Sequence, residues 1–404
     1  MNILVVCQYY YPEQFRITDI CENLQKNGNN VTVVAGIPNY PEGEIFPGYE
    51  ESYKEPEIHN GVKIIRCNNR PRHKGIKNLA LNYLTYVLEA SKVLKKMKDS
   101  YDVVYVYQLS PITMAIPAIR FAKKRKIPLY LYCLDLWPES IRDSIGDNSM
   151  NEKSLIFKVV RAFSKKIYQS ANLIGVKCEA FADYLIDVCS VKKENIKVLY
   201  EHAEDLYLSV PETPDDNGCF DFAFLGNIGS AQNCEIILKA MKRFETEKEY
   251  KVHFVGDGSA LDDLKKLSEE LELQDKVVFH GRCPISEVGK FYELADCCLL
   301  TLKEGNATSF TPPGKMYGYM AAARPIISSA SNVVNFELEK IGCGIGTNSD
   351  DITSLANAMQ YAIDNPAELL AMGIKGREYF KENYTIDKHL EGLEAHFKKI
   401  CTDK

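Results

Sequence analysis

Short apolar runs alternate with longer amphipathic stretches along almost the whole chain of 404 residues, and few architectures accommodate that rhythm. In the first half, Ile3–Cys7, Val31–Ala35, Val62–Arg66, Val103–Tyr107, Leu129–Cys133, Leu173–Val176 and Ile196–Leu199 read as strands buried on both faces. The segments 16–27, 77–98, 111–125, 152–170 and 178–189 between them read as helices. Strand and helix in alternation predict a mainly parallel α/β sheet with helices on both faces.

A polar, proline-bearing stretch, Pro211–Gly218, reads as a linker, after which the rhythm restarts. Phe220–Leu225, Val252–Val255, Val277–His280, Cys297–Leu302, Pro325–Ser328 and Gly344–Gly346 read as strands, with helices near 232–244, 259–271, 285–294, 313–322 and 351–364. The segment from 366 to 403 reads as wholly helical. The expected organisation is two Rossmann-like, doubly wound domains, 1–205 and 206–385, facing a central cleft at the carboxyl ends of both sheets. A terminal helix, 386–404, is in a position to pack back on the first domain.

Hydrophobic residues make up 46% and charged residues 26% of the chain, enough apolar side chain for two large cores. With Lys+Arg 49 against Asp+Glu 55, no nucleic-acid partner is expected. The balance is uneven, however: residues 58–177 carry 22 basic against 8 acidic side chains, a surface suited to something negative. The 13 cysteines are scattered, with no CxxC pair, so neither a disulfide framework nor a metal site is expected. The seven histidines lack metal spacing, and His389 and His396 read as surface residues. The start, MNILVVCQYY, does not read as a signal peptide, and no apolar stretch approaches about 18 residues. The expectation is a cytoplasmic protein that does not span a membrane; helix 77–98, with an apolar face and Lys92, Lys95, Lys96 and Lys98 near its end, either makes peripheral contact with the anionic inner face of the cell membrane or simply covers a core.

Several strand ends carry candidate chemistry. After the first strand, Glu13, Gln14 and Arg16 either reach a polyhydroxy or anionic ligand or simply open a solvated helix. After Leu129–Cys133, Asp135 either orients an acceptor hydroxyl or caps a turn, and Trp137 beside Glu139 either meets a ligand or packs in the core. Gly226-Asn227-Ile228-Gly229 ends the first strand of the second half, where small residues let backbone amides approach a phosphate. Gly256-Asp257-Gly258 repeats the device at the next strand end. Pro312 and Pro313 then fix a turn, Gly314 opens a helix, and Lys315 falls in its first turn. A cation is disfavoured there unless an anion joins it.

In order along the chain, Tyr10-Tyr-Pro-Glu13, Gly36-Ile-Pro-Asn-Tyr-Pro-Glu-Gly43, Phe46-Pro-Gly-Tyr49, Asp135-Leu-Trp-Pro-Glu-Ser140, Gly226-Asn-Ile-Gly229, Phe254-Val-Gly-Asp-Gly258, Gly281-Arg282, Gly314-Lys315, Tyr319-Met-Ala321 and Arg324-Pro325 resemble the family 4 retaining glycosyltransferases of GT-B architecture. More narrowly they are similar to the WbuB/WcaI-type sugar transferases of bacterial O-antigen and capsule clusters. The resemblance implies transfer of a sugar, with retention, from a nucleotide diphosphate donor. The donor is expected to be a UDP-sugar, with an N-acetylated amino sugar as one candidate, and the acceptor a polyprenyl-diphosphate-linked glycan at the anionic inner membrane surface. It further implies donor contacts from Gly226, Asn227, Gly229, Gly256, Asp257, Gly258, Arg282, Pro313, Gly314, Lys315 and Tyr319. Acceptor contacts are implied for Glu13, Gln14, Arg16, Trp137 and Glu139, and catalytic roles for Asp135 and Lys315, with no metal or other cofactor required.

The pattern is broken in places. Relatives carry a glutamate where this chain has Gly318, its companion falls on Phe310, and Glu304 beside Gly305 is the nearest substitute. Asn227 replaces an arginine common in the wider family, and Glu201-His-Ala-Glu204 replaces an asparagine-glycine pair. These departures keep two alternatives open: a non-catalytic GT-B protein that binds a glycan or partner, and a nucleotide-sugar epimerase.

Overall fold

The computed structural model describes residues 1–73, 75–140, 154–303, 312–330 and 332–402. Two compact units divide it: Met1–Glu201 together with His389–Lys404, and His202–Lys388. Glu304, Gly305, Phe310 and the start of the segment 152–170 lie outside the described residues.

The first unit is built on strands β1 (Asn2–Val6), β2 (Asn30–Gly36), β3 (Glu57–His59), β4 (Val62–Cys67), β5 (Val103–Gln108), β6 (Leu129–Cys133), β7 (Leu173–Val176) and β8 (Ile196–Val198). They form one sheet in the order β3-β4-β2-β1-β5-β6-β7-β8, parallel except for β3, which runs antiparallel to β4. β3 was not expected, because a three-residue edge strand has no apolar run to announce it. Helices α1 (Ile17–Lys26), α2 (Ile76–Lys96), α3 (Ile116–Arg125), α4 (Leu155–Tyr168) and α5 (Glu179–Asp187) accompany the sheet. Every residue of β5 and β6 is buried, which is why these strands read as unbroken apolar runs.

The second unit holds β9 (Phe220–Leu225), α6 (Glu235–Met241), β10 (Tyr250–Val255), α7 (Leu261–Glu270), β11 (Val277–Gly281), α8 (Gly289–Leu294) and β12 (Cys297–Thr301). It continues through α9 (Gly314–Ala321), β13 (Ile326–Ala330), α10 (Asn332–Ile341), β14 (Gly344–Asn348), α11 (Ile352–Asp364) and α12 (Pro366–Asn383). Its sheet is all parallel, in the order β11-β10-β9-β12-β13-β14. Phe222, Phe224, Phe254, Leu299 and Ile327 fill its core. Helix α10 was not expected; its Val-Val and Asn residues are weak helix formers, and packing on β14 settles the conformation.

The stretch Pro211–Gly218 belongs to the second unit rather than acting as a free linker. Buried Arg324 donates to the carbonyls of Pro211 and Glu212, and buried Arg377 donates to Val210 O at 2.7 Å.

The helical tail is two helices, α12 and α13 (Ile386–Thr402). From His389 onward α13 belongs to the first unit, where the Phe397 ring lies 5.5 Å from Tyr105 and 5.3 Å from Tyr130. The two histidines read as surface residues are not: His389 is buried with Nδ1 at 2.7 Å from Tyr200 O, and His396 Nδ1 lies 3.1 Å from Tyr130 Oη.

Candidate functional site

In the second sheet β9 lies between β10 and β12, so the chain leaves β9 at the point where strand order reverses, the place where open α/β sheets bind ligands. A cavity of about 640 Å³ opens there, lined by the loops after β9, β10 and β11 and closed by Tyr207, Val288 and Tyr292. Gly226, Asn227, Gly256, Asp257, Gly258 and Arg282, all read from sequence as donor contacts, line it. Exposed Arg282 makes no ion pair among the described residues.

The glycines serve a closer purpose than phosphate approach alone. A Cβ on Gly256 would stand 1.8 Å from Gly226 O, and one on Gly258 would stand 2.4 Å from Ile228 O, so the two loops touch backbone to backbone. Their amides are correspondingly spent: Gly226 N–H donates to Val255 O (2.9 Å), Ile228 N–H to Asp257 O (2.8 Å) and Gly256 N–H to Gly281 O (2.8 Å). This corrects the expectation that the glycine turn as a whole offers amides to a ligand. Only side chains cover two of them, with Gln232 Oε1 at 3.2 Å from Gly229 N and Asp257 Oδ1 at 2.7 Å from Gly258 N.

Lys315 lies in the first turn of α9, whose N-cap is Pro313. Its ammonium is sealed from solvent and has no hydrogen-bond partner among the described residues. It sits 3.7 Å from the centroid of the Phe224 ring, and a Cβ on Gly226 would lie 3.4 Å from its Nζ. Burial pulls its pKa down to about 8, opposed by the neighbouring Cys234. Gly314 is exposed, with open space where a side chain would begin.

Tyr319, read as a donor contact, is fully buried. Its hydroxyl accepts from Leu225 N (3.0 Å) and lies within reach of Leu225 O and Leu299 O. The correction has a plain cause: a phenol in the middle of α9 points at the strands beneath the helix and holds their ends. One residue earlier, Gly318 leaves room that two rings take up. A Cβ there would be 2.8 Å from Tyr292 Oη and 3.6 Å from Tyr207. Tyr207, Tyr292 and Phe224 were not singled out from sequence, where lone aromatics carry no positional signal; the small residue at 318 was the one trace of the two tyrosines.

The histidines, read from sequence as lacking metal spacing, include a hydrogen-bonded chain that runs from buried Asp221 and His253 to half-buried His280. His253 Nε2 lies 2.8 Å from Asp221 Oδ1, and His253 Nδ1 lies 2.9 Å from His280 Nε2. Among the described residues no group of His, Cys, Asp and Glu has the geometry to hold a metal ion.

In the first unit, Asp135 follows β6 and is half-buried. Its carboxylate accepts from the hydroxyls of Ser110 and Ser140. Trp137 Nε1 donates to the same Ser110 Oγ at 2.8 Å. Three acceptor-side expectations are corrected here. Trp137 is buried, so its ring is core and its N–H steadies Ser110. Glu139 is buried against Arg161 (2.9 Å). Glu13 is buried too, and takes N–H bonds from Tyr10 (3.1 Å), Asn39 (2.9 Å) and Tyr40 (2.8 Å), bracing two loops. Burial pushes its pKa up to about 7 against the pull of those N–H groups. Gln14 is exposed, and Arg16 lies 3.9 Å from Glu201, both half-exposed.

Comparison with known proteins covers both units. Residues 15–201 match Glycosyltransferase Family 4, and residues 211–383 match the glycosyl transferases group 1. The chain is 26% identical over 306 residues to a probable glycosyltransferase, WbjE, of Pseudomonas aeruginosa, covering 72% of this chain and 73% of that one. It is 24% identical over 232 residues to the N-acetylgalactosamine-N,N'-diacetylbacillosaminyl-diphospho-undecaprenol 4-alpha-N-acetylgalactosaminyltransferase of Campylobacter jejuni. There the match covers 57% of this chain and 58% of the relative. Among solved structures, sucrose-phosphate synthase from Thermosynechococcus elongatus superposes with a TM-score of 0.72 at 14% identity over 100% of both chains. Anabaena HepE in complex with UDP gives 0.69 at 12% identity, over 99% of this chain and 100% of that one. The chain belongs to the family 4 glycosyltransferases and is built on their GT-B plan of two Rossmann-like domains.

Proposed function

We propose that this glycosyltransferase moves a hexosyl unit, with retention, from a UDP-sugar to a polyprenyl-diphosphate-linked glycan in the synthesis of an O-antigen, capsule or exopolysaccharide. An N-acetylated amino sugar is the candidate unit. The observation that carries the donor half is Lys315, a buried ammonium with no acceptor among the described residues, under the Gly226 loop at the ligand end of the sheet. Three N–H donors without an acceptor are costly, and a diphosphate supplies the missing oxygens and charge. HepE, which shares the fold, binds UDP and UDP-glucose. The lipid-linked half rests on the Campylobacter jejuni relative, whose name places its substrate on diphospho-undecaprenol.

In this reading Lys315 neutralises the charge that develops on the leaving diphosphate. The bond from the anomeric carbon to the diphosphate breaks, the acceptor oxygen bonds on the same face, and the acceptor proton passes to the departing phosphate oxygen. Asp135, fixed by Ser110 and Ser140, is assigned to orient the acceptor. The donor claim is tested by thermal shift with UDP, GDP and their sugars, where a ligand at about 100 times its dissociation constant stabilises by roughly 2.7 kcal/mol. A UDP-selective shift is expected, and product analysis with a lipid-linked acceptor reads the new linkage. A folded sample that shifts with no nucleotide would overturn the donor assignment.

A further inference from the structure

Two phenols on the wall of the second unit's cavity are not spent on the protein. Tyr292 of α8 is 3% exposed and Tyr207, in the 3₁₀ turn Asp205–Ser209, is 8% exposed. Both line the cavity, and neither hydroxyl has a hydrogen-bond partner among the described residues. Buried hydroxyls nearly always find one, as Tyr319 does at Leu225 N. Ring contacts hold Tyr292 instead: its centroid lies 4.8 Å from Tyr207 at 69° and 6.0 Å from Tyr319 at 75°. The hydroxyl is therefore fixed in place for a partner that the described protein does not supply. Burial raises its pKa well above the ordinary tyrosine value, so it stays protonated and can donate as well as accept.

Sheet and helices locate that hydroxyl along the cavity. Lys315 marks one end, with its Nζ beneath the loop after β9. The loop after β11, which carries Arg282 and Cys283 and leads to Val288, marks the other. β11 is two strands from β9, about 9.5 Å across the sheet. Tyr292 falls between them, since α8 packs on β9 and Tyr292 Oη lies 2.8 Å from where a Cβ on Gly318 would stand. Gly318 is three residues past Lys315 in α9, about 4.5 Å along the helix. The lining thus passes from cation to hydroxyl to the Cys283 and Val288 side chains, the order in which a nucleotide presents diphosphate, ribose and base. Glycine at 318 admits the phenol, because any side chain there would press on its oxygen.

We propose that Tyr292, braced by Tyr207, is a specificity-determining residue whose hydroxyl bonds a ribose hydroxyl of the nucleotide. The inference rests on the donor reading and adds to it the group that tells a ribonucleotide from its deoxy analogue. A sugar hydroxyl donates and accepts, as the phenol does. A phosphate oxygen only accepts, and Lys315 offers it a stronger, charged donor. A site built to bond a hydroxyl discriminates against a ligand without it, because the protein's own polar group is then left unpaired.

Calorimetric titration of the full chain with UDP and with its 2′-deoxy and 3′-deoxy analogues tests this. The parent should bind UDP about three- to tenfold more tightly than at least one of the two analogues. Tyr292→Phe, which keeps the ring and both of its edge contacts, should weaken UDP binding by a similar factor. It should bind that analogue no more weakly than the parent does, since the hydroxyl pair is already broken. A parent that binds UDP and both analogues alike overturns the inference, whatever the variant does. So does an equal loss for all three ligands in Tyr292→Phe, which would give the phenol to the diphosphate or the base that they share, and so does a variant that binds UDP as the parent does. A parent that binds no nucleoside diphosphate overturns the donor reading and this inference with it, whereas UDP binding without discrimination overturns this inference alone.

Discussion

The ammonium of Lys315 lies 3.7 Å from the centre of the Phe224 ring, and with no hydrogen-bond partner among the described residues its buried head has that ring and the nearby Cys234 to offset its burial. A cation–π contact of this kind contributes roughly 0.5–2 kcal/mol, less than an unpaired buried charge costs. Lys315→Met, which keeps the length and removes the charge, should therefore leave the ligand-free protein at least as stable as the parent. The same change should weaken UDP binding by about 1.5–3 kcal/mol. Melting curves with and without UDP read both effects, and equal UDP affinity in parent and variant would remove Lys315 from the diphosphate site.

Protonation of the same group links binding to pH. Its ligand-free pKa is drawn down to about 8 by burial, below the ordinary lysine value, and a bound diphosphate raises it again. Donor affinity should be flat below pH 8 and fall as pH rises above it, because binding must then take up a proton. Calorimetry at pH 9 in two buffers of different ionisation enthalpy should show proton uptake in the parent and none in Lys315→Met.

Two glycines on either side of the site should answer differently to alanine. At Gly256 the added carbon meets backbone, 1.8 Å from Gly226 O, so the loops must part and stability should fall by about 2 kcal/mol or more. At Gly314 the carbon meets nothing within 4 Å, in a helix start where alanine is favoured. Gly314→Ala should be neutral or stabilising by up to about 1 kcal/mol. Denaturant midpoints of the two variants measure the contrast.

Gly318→Glu tests whether the rings have taken the glutamate's place. Its Cβ would press on Tyr292 Oη at 2.8 Å, a stiff neighbour that must turn away, and the single variant should melt lower than the parent. Combined with Tyr292→Ala, the loss should be less than the sum of the two single changes. Strict additivity in that double-mutant cycle would separate the two positions.

Fold and site were legible to different depths, for a physical reason. Hydrophobic periodicity is local, so the buried strands, the alternation and the two-domain plan could be read along the chain, and the glycine turns marked where strands end. The placement of Lys315 in the first turn of a helix was legible as well, because a cation at a helix start is a local misfit. What each polar or aromatic side chain faces is a long-range matter. Glu13 turned inward because Asn39 and Tyr40 bring it N–H donors from another loop, and Glu139 because Arg161 reaches it from α4. Trp137 and Tyr319 likewise found partners at Ser110 and at the end of β9. Burial and hydrogen bonding are properties of neighbours brought together by folding, and those neighbours lie tens of residues away.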